Sequence, residues 1–313
     1  MTPQAVEGAA VTLVFVMGLL FGSFLNVVIA RVPAGESIVH PRSRCPRCGH
    51  QLAWYENIPV LSWLALRARC SSCGLPISWR YPLIELLTAL LFLACQRRFG
   101  WTPELVAALV MVLLLVPLSF IDLEHWILPH ELTWPGIAAG VVLSVPMGWG
   151  RVQDSLIGAV VGFLVFWGME WLGEKIFKKE ALGAGDKDLL ALIGAFLTWK
   201  PLLAVIFLSS LQGAVVGSLL LLVRGRAGPA PDPEPGPEST SVPPATPPVT
   251  ETPQVAEGPA TENEEEEDDW EPGPTSIPFG PWLSLAALEV MLLGPLLREV
   301  LPVPLDMLFA GAR

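Results

Sequence analysis

Two sets of residues in this chain have the types and spacing to do chemistry. The first is a pair of aspartates at the edges of apolar runs. Asp122 closes the segment LVPLSFID, and Asp186 stands in ALGAGDKDLLALIGAF behind Gly183 and Gly185. A carboxylate at the edge of a membrane-compatible segment is costly, so it carries a functional expectation. Two aspartates within hydrogen-bond range share one proton, and such a pair can both activate water and protonate a leaving amide nitrogen. The proton belongs to the pair, so neither acid is assigned one role. The glycines before Asp186 predict a tight backbone turn and room for another strand to approach. Spacing alone fits a second role equally well, with Asp186 capping the apolar helix that follows. Asp188, directed away from Asp186 on that helix, reads as a solvated or helix-N-terminal charge. Glu124, His125 and His130 read as polar helix ends.

The second set is Cys45, Cys48, Cys70 and Cys73, arranged as CPRC and CSSC with twenty-one residues between the pairs. Each turn directs two thiolates at one point, and two turns complete a tetrahedral sulfur site for zinc. With no open position left on the ion, its role is structural. Two disulfides or a redox dithiol are the alternatives, and a cytoplasmic placement disfavours both. Cys95, inside an apolar run, reads as a small buried hydrophobe.

The elements that must carry these residues follow from composition. Apolar residues make up 52% of the chain and charged residues only 16%, far from an ordinary soluble domain. Apolar runs fall at 8–30, 82–96, 103–121, 132–149, 155–173, 188–222 and 280–297, and the sixth divides at Lys200-Pro201. The expected fold is therefore an all-α integral membrane protein of about eight transmembrane helices with a small cytoplasmic zinc-binding loop domain built on the four cysteines. The first run lacks a basic leader and a cleavage site, so it reads as a retained span. Between the first two spans lie Arg31, Arg42, Arg44, Arg47, Arg67, Arg69 and Arg80 against Glu36 and Glu56. The excess of positive charge puts that loop in the cytoplasm. Alternation of eight spans then places 122–131, 174–187 and 224–279 on the same side, which brings Asp122 and Asp186 to one face. Arg97 and Arg98 fall against this bias.

The net charge of −11 belongs to one segment: thirteen of the thirty acids lie in 228–276, together with thirteen prolines. That composition cannot bury enough apolar surface to fold and reads as a disordered loop. Without it the chain has 17 acids and 19 bases, so the acidic balance says nothing about substrate. No HExxH, GxSxG or Walker-type loop is present to support a zinc-protease, serine-hydrolase or nucleotide-hydrolase reading. Nor is there a glycine-rich fingerprint of a soluble cofactor-binding fold.

These motifs together resemble the type IV prepilin leader peptidase and N-methyltransferase family, G-x-G-D aspartic enzymes of the bacterial inner membrane. The likeness rests on Phe21-Gly22-Ser23-Phe24-Leu25-Asn26-Val27-Val28-Ile29 with Arg31 and Pro33, on Glu56-Asn57-Ile58-Pro59 with Ser62-Trp63, on Arg80-Tyr81-Pro82 with Glu85, and on Ile277-Pro278-Phe279-Gly280-Pro281. It implies cleavage of the basic leader of prepilins or secretion pseudopilins after a glycine, with Asp122 and Asp186 as the catalytic acids. It also implies methylation of the new N-terminus with S-adenosylmethionine, for which Glu56 and Asn57 are cofactor contacts. Such partners belong to type IV pilus or type II secretion assembly in a lipid bilayer, and no nucleic acid is expected. The chain departs from the family pattern where Ala68-Arg69 replaces Gly-Lys, where His130 replaces the acid after Leu-Pro, where Asp188 stands two residues after Asp186 in place of a lysine, and in its long 228–276 insert.

The expected organisation is a first transmembrane helix at 1–30, the zinc-binding loop and methyltransferase region at 31–81, the peptidase core at 82–223, the acidic insert at 224–276, and a last helix with its tail at 277–313. Two rival readings differ in outcome: a peptidase that has lost methyl transfer through Ala68-Arg69, and a non-catalytic secretion scaffold. Deletion of 228–276 is expected to leave leader cleavage unchanged in membranes carrying the variant; lost cleavage by a stably inserted deletion would contradict the reading of that segment as a loop outside the site.

Overall fold

The computed structural model describes residues 3–177, 183, 185–224 and 277–300. The insert expected to be disordered and the C-terminal tail at 301–313 lie outside those residues. The chain divides into two compact units, one formed by Met1–Val215 with Pro278–Arg313 and the other by Val216–Ile277.

Nine α-helices occur among the described residues: α1 (Pro3–Arg31), α2 (Leu61–Ala65), α3 (Arg80–Phe99), α4 (Pro103–His125), α5 (His130–Ser144), α6 (Trp149–Phe177), α7 (Asp186–Leu197), α8 (Leu202–Arg224) and α9 (Gly280–Val300). No strand accompanies them in that part of the chain, only the isolated bridges Arg44–Gln51 and Arg69–Pro76. All but α2 fall on the apolar runs of the sequence. The sixth run divides as expected: α7 stops at Leu197, Thr198 turns through φ +73°, and α8 starts at Leu202.

Among the described residues, four segments are long and apolar enough to cross a membrane: Glu7–Arg31, Pro103–His125, Trp149–Gly173 and Leu202–Val223. The others differ for local reasons. α3 carries Glu85, Arg97 and Arg98, while α5 and α7 have 15 and 12 residues. At about 1.5 Å per residue, twelve residues reach less than two thirds of the way across a hydrocarbon core of roughly 30 Å.

α7 is the buried axis of the bundle. Every residue from Asp188 to Phe196 is buried, as expected for a helix that is apolar all round. Its neighbours reach it through small residues. A Cβ added at Gly158 of α6 would collide with the carbonyl of Gly194, and one at Gly162 would lie 2.5 Å from the carbonyl oxygen of Leu190. On α1, a Cβ at Gly18 would fall 2.5 Å from the Cα of Ala89 on α3, and one at Gly22 would fall 2.6 Å from the Cα of Glu85. Small residues spaced four apart allow such backbone contact in lipid, where no hydrophobic force draws helices together. Gly158→Ala is expected to force α6 off α7 and destabilise the bundle by about 1–3 kcal/mol, read as a lower thermal midpoint in detergent; an unchanged midpoint would show that this contact is loose.

Candidate active site and tetrathiol cluster

Asp122 lies in the last turn of α4. That helix ends because Trp126 adopts a left-handed conformation (φ +57°) and its N–H closes on the carbonyl of Asp122 at 3.0 Å. Leu128-Pro129 then leads into α5, with Pro129 as its N-cap. Asp186 opens α7. The N-cap is Gly185, and Asp186 occupies the first helical position, so it does not stand where a capping aspartate would. Gly185 has φ −83°, an ordinary value. Its lack of a side chain serves a close approach: a Cβ there would lie 2.6 Å from the Cβ of Leu128. Gly185 therefore does not supply the otherwise forbidden turn expected from the sequence; what it provides is close approach. It lets the α4–α5 connection rest against the start of α7.

The third element is the start of α9. The Gly280 N–H donates to Asp122 Oδ2 at 3.0 Å, and a Cβ on Gly280 would lie 2.5 Å from that oxygen and 3.4 Å from Leu189 of α7. Asp122 and Asp186 are each about 5% exposed, and the charge of Asp122 is felt at Asp186. Gly280 was absent from the sequence-derived site residues. Its signal was present in Ile277-Pro278-Phe279-Gly280-Pro281, but no spacing rule ties a backbone N–H to an acid 158 positions away.

The remaining acids near the site are engaged with neighbouring helices. Glu124 pairs with Arg80 at the start of α3, and Lys187 Nζ donates to Glu170 Oε2 of α6 at 2.8 Å. Asp188 is buried rather than solvated, with Oδ2 3.1 Å from His130 Nδ1. His130 and Asp188, two positions at which the sequence departs from the family pattern, thus face each other.

The loop from 32 to 79 carries the cysteines in two matching turns. Cys45 N–H donates to His50 O at 2.8 Å and Gly49 N–H to Cys45 O at 3.0 Å; Cys70 N–H donates to Leu75 O and Gly74 N–H to Cys70 O, both at 2.9 Å. Gly49 and Gly74 turn through φ +71° and +69°, conformations that favour glycine. The four sulfurs lie within 4.8 Å of one another, with Cys48 Sγ and Cys70 Sγ 3.9 Å apart. A tetrahedron with metal–sulfur bonds of about 2.3 Å has edges of about 3.8 Å, so the donors fit one zinc ion. Backbone N–H groups of Cys48 and Arg47 bring the Cys45 thiol down to about 7, and those of Cys73 and Ser72 lower Cys70. Both shifts favour the thiolate that a metal needs, whereas Cys48, although the His50 N–H acts to lower it, is pushed up to about 11 by desolvation and the neighbouring thiols.

Glu56 braces this loop. Hydrogen bonds from the Ser71 hydroxyl and the Ala53 N–H hold its carboxyl below the usual range, and His50 Nε2 lies 3.3 Å from Oε2. Its carboxylate therefore joins the first cysteine turn to the second. Asn57 points elsewhere, into a cleft of about 300 Å³ shared with Ser23, Phe24, Arg31, Arg42 and Pro59. The departure at Ala68 has a backbone reading, because Ala68 sits at φ +59°. A glycine would adopt that conformation more easily.

Two buried carboxylates at helix ends, together with a cluster of four thiols, mark a helical protein with segments long and apolar enough to cross a membrane. The Bacterial Peptidase A24 N-terminal domain profile matches residues 16–99, and the Type IV leader peptidase family profile matches 109–218. Among curated proteins, the chain is 58% identical over 315 residues to the prepilin leader peptidase/N-methyltransferase of Myxococcus xanthus, covering 95% of this chain and 94% of that one. It is 42% identical over 248 residues to the protein of the same name from Aeromonas hydrophila, with coverage of 71% and 85%. The Pseudomonas aeruginosa protein of that name is 39% identical over 248 residues, with coverage of 72% and 86%. The chain belongs to the type IV leader peptidase family. No solved structure matches it.

Purified chain is expected to carry about one zinc per molecule, measured by elemental analysis. Cys45→Ser or Cys70→Ser should lower that content and make the 32–79 loop protease-sensitive; a metal-free preparation with an intact loop would refute the cluster as a zinc site.

Proposed function

We propose that this chain cleaves the basic leader from prepilin-like proteins with Asp122 and Asp186 as the catalytic pair, and methylates the new N-terminus. The observations that support the first half are the burial of both carboxylates, Asp122 at the end of α4 beneath the N–H of Gly280 and Asp186 at the start of α7, and the electrostatic effect of Asp122 on Asp186. With one proton shared between them, the ionised carboxylate takes a proton from water as it attacks the scissile carbonyl, and the protonated one donates to the departing amide nitrogen. The Gly280 N–H steadies the charge on Asp122 without contributing a proton.

Several properties belong to this reading as proposals: eight membrane crossings, an inner-membrane location, and a site facing the cytoplasm. That placement suits a substrate whose basic leader stays in water while its apolar helix stays in lipid. Pilins and secretion pseudopilins both have that form.

The cysteine loop is the proposed methyl-transfer region, with zinc as its structural ion. S-adenosylmethionine supplies an electrophilic methyl group when bound. Arg42 and Asn57 would hold its carboxylate in the 300 Å³ cleft, whose polar side lies beside apolar Phe24 and Val27. Glu56, already bonded to His50, Ser71 and Ala53, supports the loop. Ala68 differs from glycine in backbone ease rather than in chemistry, which favours retained methyl transfer over its loss.

Asp122→Asn and Asp186→Asn are each expected to reduce leader cleavage by on the order of 10³-fold or more while the protein stays inserted. Mass measurement of the product, with and without S-adenosylmethionine, should show one added methyl group only when it is supplied. Full cleavage by both variants would favour a non-catalytic scaffold, and an unmethylated product would leave a peptidase alone.

A further inference from the structure

Asp188 is the acid that the dyad reading leaves without a task. It is as buried as Asp122 and Asp186, and burial of a carboxylate is unfavourable unless partners replace water. Its partners come from the first turns of α5. Oδ2 lies 3.1 Å from His130 Nδ1 and accepts from Trp134 Nε1 at 3.4 Å. The two rings pack edge to face, with centroids 5.8 Å apart, so α5 presents His130 and Trp134 together.

The opposite flank of the same turn is tied as well. Lys187 bonds to Glu170 of α6. Asp186 is thus followed by two residues in ionic or hydrogen-bonded contact with different helices, while its own carboxylate is left for the pair with Asp122. Rotation of the first turn of α7 would pull the buried Asp188 away from the exposed His130 ring and the Trp134 N–H on one side, or break the partly buried Lys187–Glu170 bond on the other.

We propose that His130, assisted by Trp134, is a positioning residue for the peptidase reaction: by holding Asp188 it fixes the first turn of α7 and so the direction in which Asp186 meets Asp122. The proposal rests on the dyad reading. His130 and Asp188 face each other across the gap between α5 and α7. A role that belongs to the pair would be filled by either polarity, which the reversed pair below tests.

The test uses the full-length chain in detergent or liposomes and a prepilin with a basic leader, with kcat and KM measured separately. His130→Ala and Asp188→Asn are each expected to lower kcat by about 10- to 100-fold through misplacement of Asp186, with KM unchanged. Trp134→Phe removes one donor and should lower kcat less. The reversed pair His130→Asp with Asp188→Lys should recover kcat to within about tenfold of the parent, while Asp188→Lys alone should be poorer than either. Thermal midpoints of all variants separate misplacement from unfolding. A parental kcat for His130→Ala would overturn the proposal, as would a reversed pair that melts like the parent yet is no better than Asp188→Lys. If Asp186→Asn still cleaves, the dyad reading itself fails; if Asp186→Asn is inactive and His130→Ala is not, only the positioning role falls.

Discussion

Keeping two carboxylates, Asp122 and Asp186, out of water at the ends of helices is the constraint around which this bundle is arranged. Asp122 sits in the final turn of α4, where the helix dipole presents its negative end and opposes a second negative charge. Two helix starts offset that. α9 aims the N–H of Gly280 at Asp122 Oδ2, and α7 begins at Asp186 itself. Free N–H groups at helix starts suit an acid, whereas another helix end of the same kind as α4 would not.

Helix ends can meet this closely only if the helices behind them pack without intervening side chains. Gly158, Gly162 and Gly194 bring α6 onto α7, Gly185 admits Leu128, and Gly280 admits the Asp122 carboxylate. The glycines therefore do one job at several depths. They shorten distances that a methyl group would hold open.

The cysteine loop is joined to the same machinery through its flanks. Glu85 of α3 accepts the N–H of Val60 at 2.7 Å, where Val60 is held at φ +60°, and Asn26 of α1 donates to the carbonyl of Tyr81 at 3.2 Å. Arg80, the first residue of α3, reaches Glu124 just beyond Asp122. The loop that carries the four clustered cysteines thus ends at a residue paired with the turn that carries Asp122.

Much of this was legible in the sequence because it depends on local pattern. Apolar run length marked the positions of the long helices, the break at Lys200-Pro201 marked the end of α7, and the CPRC and CSSC spacing marked four sulfurs that do come together. The roles of Gly185, Gly280, Glu56 and Asp188 were not legible in that way. Each is set by a residue far away in the chain: Leu128 for Gly185, Asp122 for Gly280, Ser71 for Glu56, His130 and Trp134 for Asp188. Sequence by itself determined which residues are acids, thiols and helix formers, since chemistry and periodicity are properties of the chain. Tertiary structure alone decided which acids are buried and what faces them, because burial and pairing arise only when separate helices close on one another.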